Sequence, residues 1–456
     1  MTVAGCLIII LYVMGIIKHA LNRDFEKMKY IVFITMIGFS IFVNIGYSVF
    51  HLPYNILLEV LYLGVCAICW IKRPNFKIGK KYVIAAMVLI GVICMGDINL
   101  MISDMPYIIP FSVSMDSVYH AENSLSKAFF SESNIQYLRY MVLFIVVMGF
   151  SLEYFHDDSM RKRIMTDVKK IFIGMFAIWT IEWIFNNFVS PELWREMVYS
   201  FFGNSNERKT YAVGFRFIGY SFNGLFTEPS YITVMVVFYS ILWKEGLKTI
   251  KDYVIYLWSV LLLILNGTTS GMMLLIFALL LLVKNIAGTM KKETFEFVLV
   301  VILAAIVSIA FNYNSIQPIF DKILTYVQAY VGGGIYSSAR ETSAAIRNYG
   351  NSVAYAAFRA SPFLGVGFGT TRGYGILPGT LACLGILGTV AYTYFIKEVF
   401  DIKLDLDSGV LLCLFIAYSA TILSVWYLYF PALIPFCVCL GYSTKRTGGN
   451  VNIVTR

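Results

Sequence analysis

The residues best suited to chemistry lie in one polar stretch, Arg216-Phe-Ile-Gly-Tyr-Ser-Phe-Asn-Gly-Leu-Phe-Thr-Glu-Pro-Ser230, set against an apolar run that begins at Tyr231. Glu228 stands at that boundary. A carboxylate beside a bilayer costs on the order of a few kcal/mol unless it is solvated or paired, so its presence marks function by default. Pro229 restricts Glu228 to extended backbone and suits a first helical turn, which places the carboxylate near a helix N-terminus. Capping those N–H groups is the purely structural role open to it.

A second set is cationic. Arg139, Arg195, Arg208, Arg216, Arg340, Arg347, Arg359 and Arg372 fall in segments that the charge pattern below assigns to the outer side, with Lys127, Lys209 and Lys322. The guanidinium is a planar fork that meets phosphate oxygens two at a time. An arginine-rich face suits an anionic ligand, such as a lipid-linked phosphate or pyrophosphate. Salt bridges with Glu192, Glu196, Glu207, Asp321 and Glu341 are the plainer account, and both stay open.

These residues must be positioned by membrane helices. Hydrophobic residues make up 59% of the chain, charged residues 14%, and the mean hydropathy is +0.73, against about 25% charged in soluble domains. Apolar runs near the bilayer-crossing length of about 20 residues recur along the sequence. The spacing predicts thirteen spans, at 3–17, 30–50, 54–71, 82–100, 138–154, 171–190, 226–243, 253–266, 271–283, 293–311, 376–396, 409–426 and 428–442. The first run lacks a basic start and a cleavage site, so it reads as a short span rather than a signal peptide. Every second loop is basic. Of the 36 Lys and Arg residues, 25 lie on one side, which is the cytoplasmic one, with the N-terminus outside and the C-terminus inside. The net charge of +9 is therefore mostly topology, with some contact to anionic lipid, and needs no nucleic acid. The expected fold is an all-α polytopic membrane protein of about 12–13 spans, one integral membrane domain over residues 1–456. Its large outer loops are at about 101–137, 191–225 and 312–375.

The third loop has internal order. Ile316, Ile319, Phe320, Ile323, Leu324 and Val327 recur at helical spacing and predict an amphipathic surface helix, ended by Gly332-Gly-Gly334. A second helix is expected from Ser338 to Phe358, with Arg340 and Arg347, two turns apart, on one face. Next comes Ser361-Pro-Phe-Leu-Gly-Val-Gly-Phe-Gly369. Its alternating glycines allow close approach to a ligand, and they equally suit a tight connection.

Four features, in order, resemble the O-antigen polymerase and ligase family. They are Arg216 with Glu228-Pro229-Ser230; Asn266-Gly-Thr-Thr-Ser270 at a span end; Ser338-Ala-Arg340 with Pro362-Phe-Leu-Gly-Val-Gly-Phe-Gly369; and Leu381-Ala-Cys-Leu-Gly-Ile-Leu-Gly388. The resemblance covers about residues 210–400. It implies a glycosyltransferase of GT-C-like fold in the bacterial inner (plasma) membrane, with its large loops facing the periplasm or outside. The donor and acceptor it implies are polyprenyl-pyrophosphate-linked glycans at the outer leaflet. No cofactor and no metal is required, and a chain-length regulator is a partner the family allows. A polymerase moves the growing glycan from its carrier onto the incoming repeat unit; a ligase moves it onto lipid A core. The ligases carry a functional histidine in the large outer loop. This chain has none between 312 and 375, which favours the polymerase.

In that chemistry pyrophosphate leaves as its developing charge is stabilised, which arginines can do, and the attacking sugar hydroxyl benefits from a general base. Glu228 is the candidate base, or else it orients Arg216 or Arg340. Arg340, Arg216, Arg347, Arg372 and Arg359 are the candidate pyrophosphate ligands.

Other residues fit plainer roles. Cys66-Ala-Ile-Cys69 lies inside an apolar span, and all eight cysteines fall in spans, so no disulfide framework is implied. No outer loop has a Cys/His cluster or an Asp-x-Asp pair. Glu59 and Glu182 are intramembrane carboxylates that either pack against a polar partner or line a substrate path. A transporter or flippase without catalysis is the remaining reading. It calls for ionisable residues at broken helices and repeated halves, and no internal repeat is evident.

Overall fold

The computed structural model describes residues 3–39, 54–72, 79–103, 130, 132–202, 215–216, 219–220, 222, 232, 235–236, 238–239, 249–266, 343–371, 376–400 and 438. These are overwhelmingly helical, as the apolar runs require. In chain order they form α1 (Val3–Leu21), α2 (Phe25–Phe39), α3 (Tyr54–Lys72), α4 (Lys80–Ile102), α5 (Glu132–His156) and α6 (Asp158–Ile184). A π-helical turn (Phe185–Val189), α7 (Pro191–Phe202), α8 (Ile250–Asn266), α9 (Ser343–Ala360) and α10 (Ile376–Phe400) follow. The expected spans 271–283, 293–311 and 409–426 lie outside the described residues, as does all but Val438 of 428–442. So does the amphipathic segment from Ile316 to Val327. Among the described residues two helices, Lys80–Ile102 and Leu377–Val399, each 23 residues long with mean hydropathy 2.2 and 1.5, are long and apolar enough to cross a membrane.

Several helices overrun the expected spans because polar residues cap them tightly. Between α5 and α6 only Asp157 intervenes. Its Oδ1 accepts from the Ser159 hydroxyl and amide at 2.7 Å and from Met160 N at 3.1 Å. These bonds, the Ser159 hydroxyl first, hold its carboxyl below the ordinary value, and they satisfy the first orphan amides of α6. What reads as a basic loop at 155–170 is thus the first turns of a helix. At the start of α8, Thr249 and Asp252 cap each other reciprocally: Asp252 N donates to Thr249 Oγ1 at 3.2 Å and Thr249 N to Asp252 Oδ2 at 3.0 Å.

The chain divides into two compact units. In the first, residues 1–60 with 163–328, an aromatic core joins α6 to Tyr239 and α8. Phe176 meets the Tyr239 ring edge-on at 4.8 Å and Trp258 at 6.0 Å, and Trp258 Nε1 donates to Thr180 Oγ1 at 2.9 Å. Phe215–Arg216 (β1) pairs antiparallel with Gly219–Tyr220 (β2), Phe215 opposite Tyr220 and Arg216 opposite Gly219. This short hairpin, absent from the all-helical expectation, gives the segment before Glu228 a paired backbone.

In the second unit, residues 61–162 with 329–456, α10 packs on α4 and α9, and α4 on α5. Gly149 admits the Tyr82 ring, whose Cε1 would lie 3.0 Å from a Cβ there, and the Tyr82 hydroxyl donates to Ile145 O. Phe395 of α10 closes that contact against Tyr82 at 5.5 Å and Phe144 at 6.4 Å. Packed this closely, α4, α5 and α10 form the frame that receives the glycine-rich loop.

Candidate functional site: the glycine loop in a broken helix

After α9 the chain turns at Ser361, whose amide bonds Ala357 O and Phe358 O at 3.2 Å. It then lies along α10 as an irregular strap. Val366 N donates to Ala382 O at 2.9 Å, while Pro362 O and Phe363 O accept from Ile386 N at 2.9 Å and Leu387 N at 3.2 Å. The strap can make these bonds because α10 is broken at Gly385, whose φ of 61° and ψ of −163° interrupt the helix and free the flanking groups.

Glycine is required at four positions here. Gly365, Gly367, Gly369 and Gly385 all have left-handed φ, between 61° and 93°. Space is as restrictive as torsion. A Cβ on Gly365 would lie 2.5 Å from the Cys383 carbonyl oxygen, and one on Gly385 would overlap the Phe363 carbonyl. Gly96 of α4 lets Leu364 O approach to 2.9 Å of where its Cβ would stand. The two readings of this glycine pattern are thereby separated. Gly96, Gly365 and Gly385 serve close backbone-to-backbone packing within the protein, and a Cβ on Gly367 would meet the Leu100 side chain at 2.6 Å. The motif segments Pro362–Gly369 and Leu381–Gly388 are two halves of one interlock.

Polar side chains from two other helices complete it. Asp97 of α4, 5% exposed, accepts from Phe368 N on Oδ1 at 2.7 Å. Asn134 of α5, fully buried, donates through Nδ2 to Phe368 O at 2.8 Å and to Thr370 Oγ1 at 2.9 Å. Tyr137 meets the Phe368 ring edge-on at 5.9 Å. Cys383 Sγ, buried under the strap, donates to Thr371 O at 3.3 Å. Asp97 and Asn134 were not among the residues the sequence singled out. The signal was present for Asp97, because the rule that picks out Glu59 and Glu182 applies equally to a carboxylate inside the apolar run 82–100. For Asn134, one polar residue among several before a span, no signal existed.

The candidate residues fall as follows. Glu228, Arg340 and Arg372 lie outside the described residues. Arg216 is on β1 in the first unit. Arg347 and Arg359 are on α9 in the second, twelve residues apart. That is about 18 Å along the axis and about 120° around it, so the two do not share a face. Arg359, in the last turn of α9, is exposed, two residues before the strap begins. Arg372 follows the strap's last residue, Thr371, in sequence. Two of the five candidate cations thus flank the strap in sequence.

Of the two carboxylates expected inside spans, Glu182 is buried in α6, one turn before the buried Asn186 of the π-helical turn, and the Glu59 side chain lies outside the described residues. Asn266, which opens the second motif, is fully buried at the end of α8. Cys66, buried, and Cys69, half-buried, lie on α3 and form no disulfide. Among the described residues no group of three His, Cys, Asp or Glu side chains is placed to hold a metal ion.

No protein-family model, no curated protein and no solved structure matches this chain.

Proposed function

We propose that this chain is a multi-pass glycosyltransferase of the O-antigen polymerase type. On this reading it lies in the bacterial inner membrane, with a GT-C-like arrangement and its arginine-rich loops outside. The observation that carries the reading is the interlock. Two motif segments that supply the family resemblance are hydrogen-bonded to each other, and Arg359 precedes the strap and Arg372 follows it in sequence. The membrane placement is supported by the outward side of α4, where Met87, Met95, Ile98 and Met101 are 49–61% exposed on a helix whose inner side is also apolar. A helix apolar on both sides fits a bilayer on one side and a protein core on the other.

In this reading the acceptor is the lipid-linked repeat unit. A hydroxyl of its terminal sugar attacks the anomeric carbon of the growing glycan. The anomeric C–O bond to the carrier breaks, and the polyprenyl pyrophosphate leaves with the electron pair. Glu228 takes the proton or orients an arginine, and Arg340, Arg216, Arg347, Arg372 and Arg359 are the set from which the leaving pyrophosphate draws its ligands. The polymerase is preferred to the ligase because no histidine occurs between 312 and 375. The transporter reading calls for a broken helix whose free ends face a ligand. At Gly385 the ends are engaged instead, since Ala382 O, Ile386 N and Leu387 N all bond the strap.

The test is incubation of the purified full-length protein with one lipid-linked repeat unit. A ladder of longer lipid-linked glycans is expected. Product that forms only when a second, lipid A-core acceptor is added makes the chain a ligase. Translocation across proteoliposomes without any new glycosidic bond makes it a transporter.

A further inference from the structure

We infer that Asp97 and Asn134 are positioning residues that latch the strap Ser361–Thr371 into the break of α10, and that the transfer depends on this seating of the run that links Arg359 to Arg372 in sequence. The catalytic half of this inference rests on the transferase reading; the latch rests on geometry alone.

The strap reaches far along the helices that hold it. Leu364 O meets α4 at Gly96, six residues, or about 9 Å, from the end of that helix at Ile102. The break at Gly385 is nine residues, or about 13 Å, into α10. Both helices are of membrane-crossing length. Irregular backbone at such depth persists only where protein groups satisfy its donors and acceptors. Helix α10 supplies most of them through its own backbone, which exists only because Gly385 opens it. At Phe368, beyond Val366, the side chains of Asp97 and Asn134 hold the backbone, one on the amide and one on the carbonyl. They are points at which α4 and α5 hydrogen-bond the strap backbone, beside the packing of Gly96 on Leu364 O and of Tyr137 on Phe368. Asn134 also holds the Thr370 hydroxyl, two residues before Arg372.

The chain carries its own reporter of strap seating. Cys383 is 2% exposed and its thiol donates to Thr371 O, so lifting the strap uncovers it. The experiment measures alkylation of Cys383 by N-ethylmaleimide in the full-length protein, read by mass spectrometry of the Cys383 peptide. Asp97→Ala and Asn134→Leu should each raise the rate about tenfold, since each removes a buried hydrogen bond to the strap backbone. Asp97→Asn keeps an acceptor for Phe368 N and should stay within about threefold of wild type. Should Asp97→Ala fail to accumulate as monodisperse protein, Asn134→Leu and a mild Asn134→Ser carry the comparison. A wild-type alkylation rate in folded variants overturns the latch.

A second readout separates positioning from mere stability. If the strap sets pyrophosphate ligands, the released variants show KM for the lipid-linked donor raised about tenfold, and inhibition by inorganic pyrophosphate weakened in step. A structural role alone lowers Vmax with the amount of folded protein and leaves KM where it was. Released Cys383 with unchanged KM therefore overturns the positioning role. If wild-type protein builds no ladder while Cys383 still responds, the transferase reading falls and the latch stands.

Discussion

Among single residues, Glu228 separates cap from catalyst most sharply. A cap needs only a short acceptor, so Glu228→Asp or Glu228→Asn would be mild, about 1 kcal/mol or less. A base, or a carboxylate that orients an arginine, needs both charge and reach. We expect Glu228→Gln to abolish polymer while membrane abundance stays at wild type, with chain length read on gels in a null background. Near-normal ladders from well-expressed Glu228→Gln would remove Glu228 from the site. Arg340 makes a parallel case. A bidentate contact to pyrophosphate uses the guanidinium fork, which lysine lacks. Arg340→Lys should therefore be nearly as damaging as Arg340→Ala, and full-length polymer from Arg340→Lys at normal abundance would reduce the residue to a charge.

The broken helix α10 and the strap it receives concentrate the constraint of the fold at the level of elements. Not every glycine in a span has a reason to be glycine. Gly91 in α4 and Gly174 in α6 have nothing within 4 Å of a built Cβ, so Gly174→Ala should be neutral or stabilising by about 0.5–1 kcal/mol. Gly385→Ala is different in kind. It forces a left-handed Cβ, worth about 1–2 kcal/mol, and drives that Cβ into the Phe363 carbonyl. We expect Gly385→Ala to lose monodisperse protein in fluorescence size-exclusion after mild heating, while Gly174→Ala matches or exceeds wild type. Equal melting of the two would mean that the strap does not seat in the break. The same contrast explains why the motif Leu381-Ala-Cys-Leu-Gly-Ile-Leu-Gly388 reads in the sequence as an ordinary apolar run. Its chemistry is in a torsion angle, and torsion is not written in hydropathy.

For the whole molecule, orientation decides whether the arginines face a lipid-linked glycan at all. The proposed topology, argued from the Lys and Arg alternation, would put 191–225 and 312–375 on the extracytoplasmic side together. Single cysteines at Ser205 and Ser337 should react with an impermeant thiol reagent in cells whose outer membrane alone is permeabilised. Labelling that appears only after the inner membrane is broken would reverse the orientation, and with it the side on which any glycan is handled.

What the sequence determined by itself was the helical character of the chain and the places where helices form. Runs such as 54–71, 82–100, 253–266 and 376–396 fall on α3, α4, α8 and α10 to within a few residues, because burying an apolar stretch of that length leaves the backbone only its own groups to bond. It also exposed the glycine pattern at 361–369 as special, without deciding between a ligand cradle and a tight connection. Tertiary structure decided that. The partners that make the glycines necessary, the Cys383 carbonyl, Leu364 O against Gly96, and Asp97 at Phe368 N, sit up to 271 residues away in the chain. Helix ends shifted for a smaller reason of the same sort, since capping by Asp157 carries α6 through residues whose charge reads as loop. Local periodicity records which residues avoid water. Which buried polar group answers which backbone amide depends on contacts between distant segments, and only the folded chain brings Asp97, Asn134 and Phe368 together.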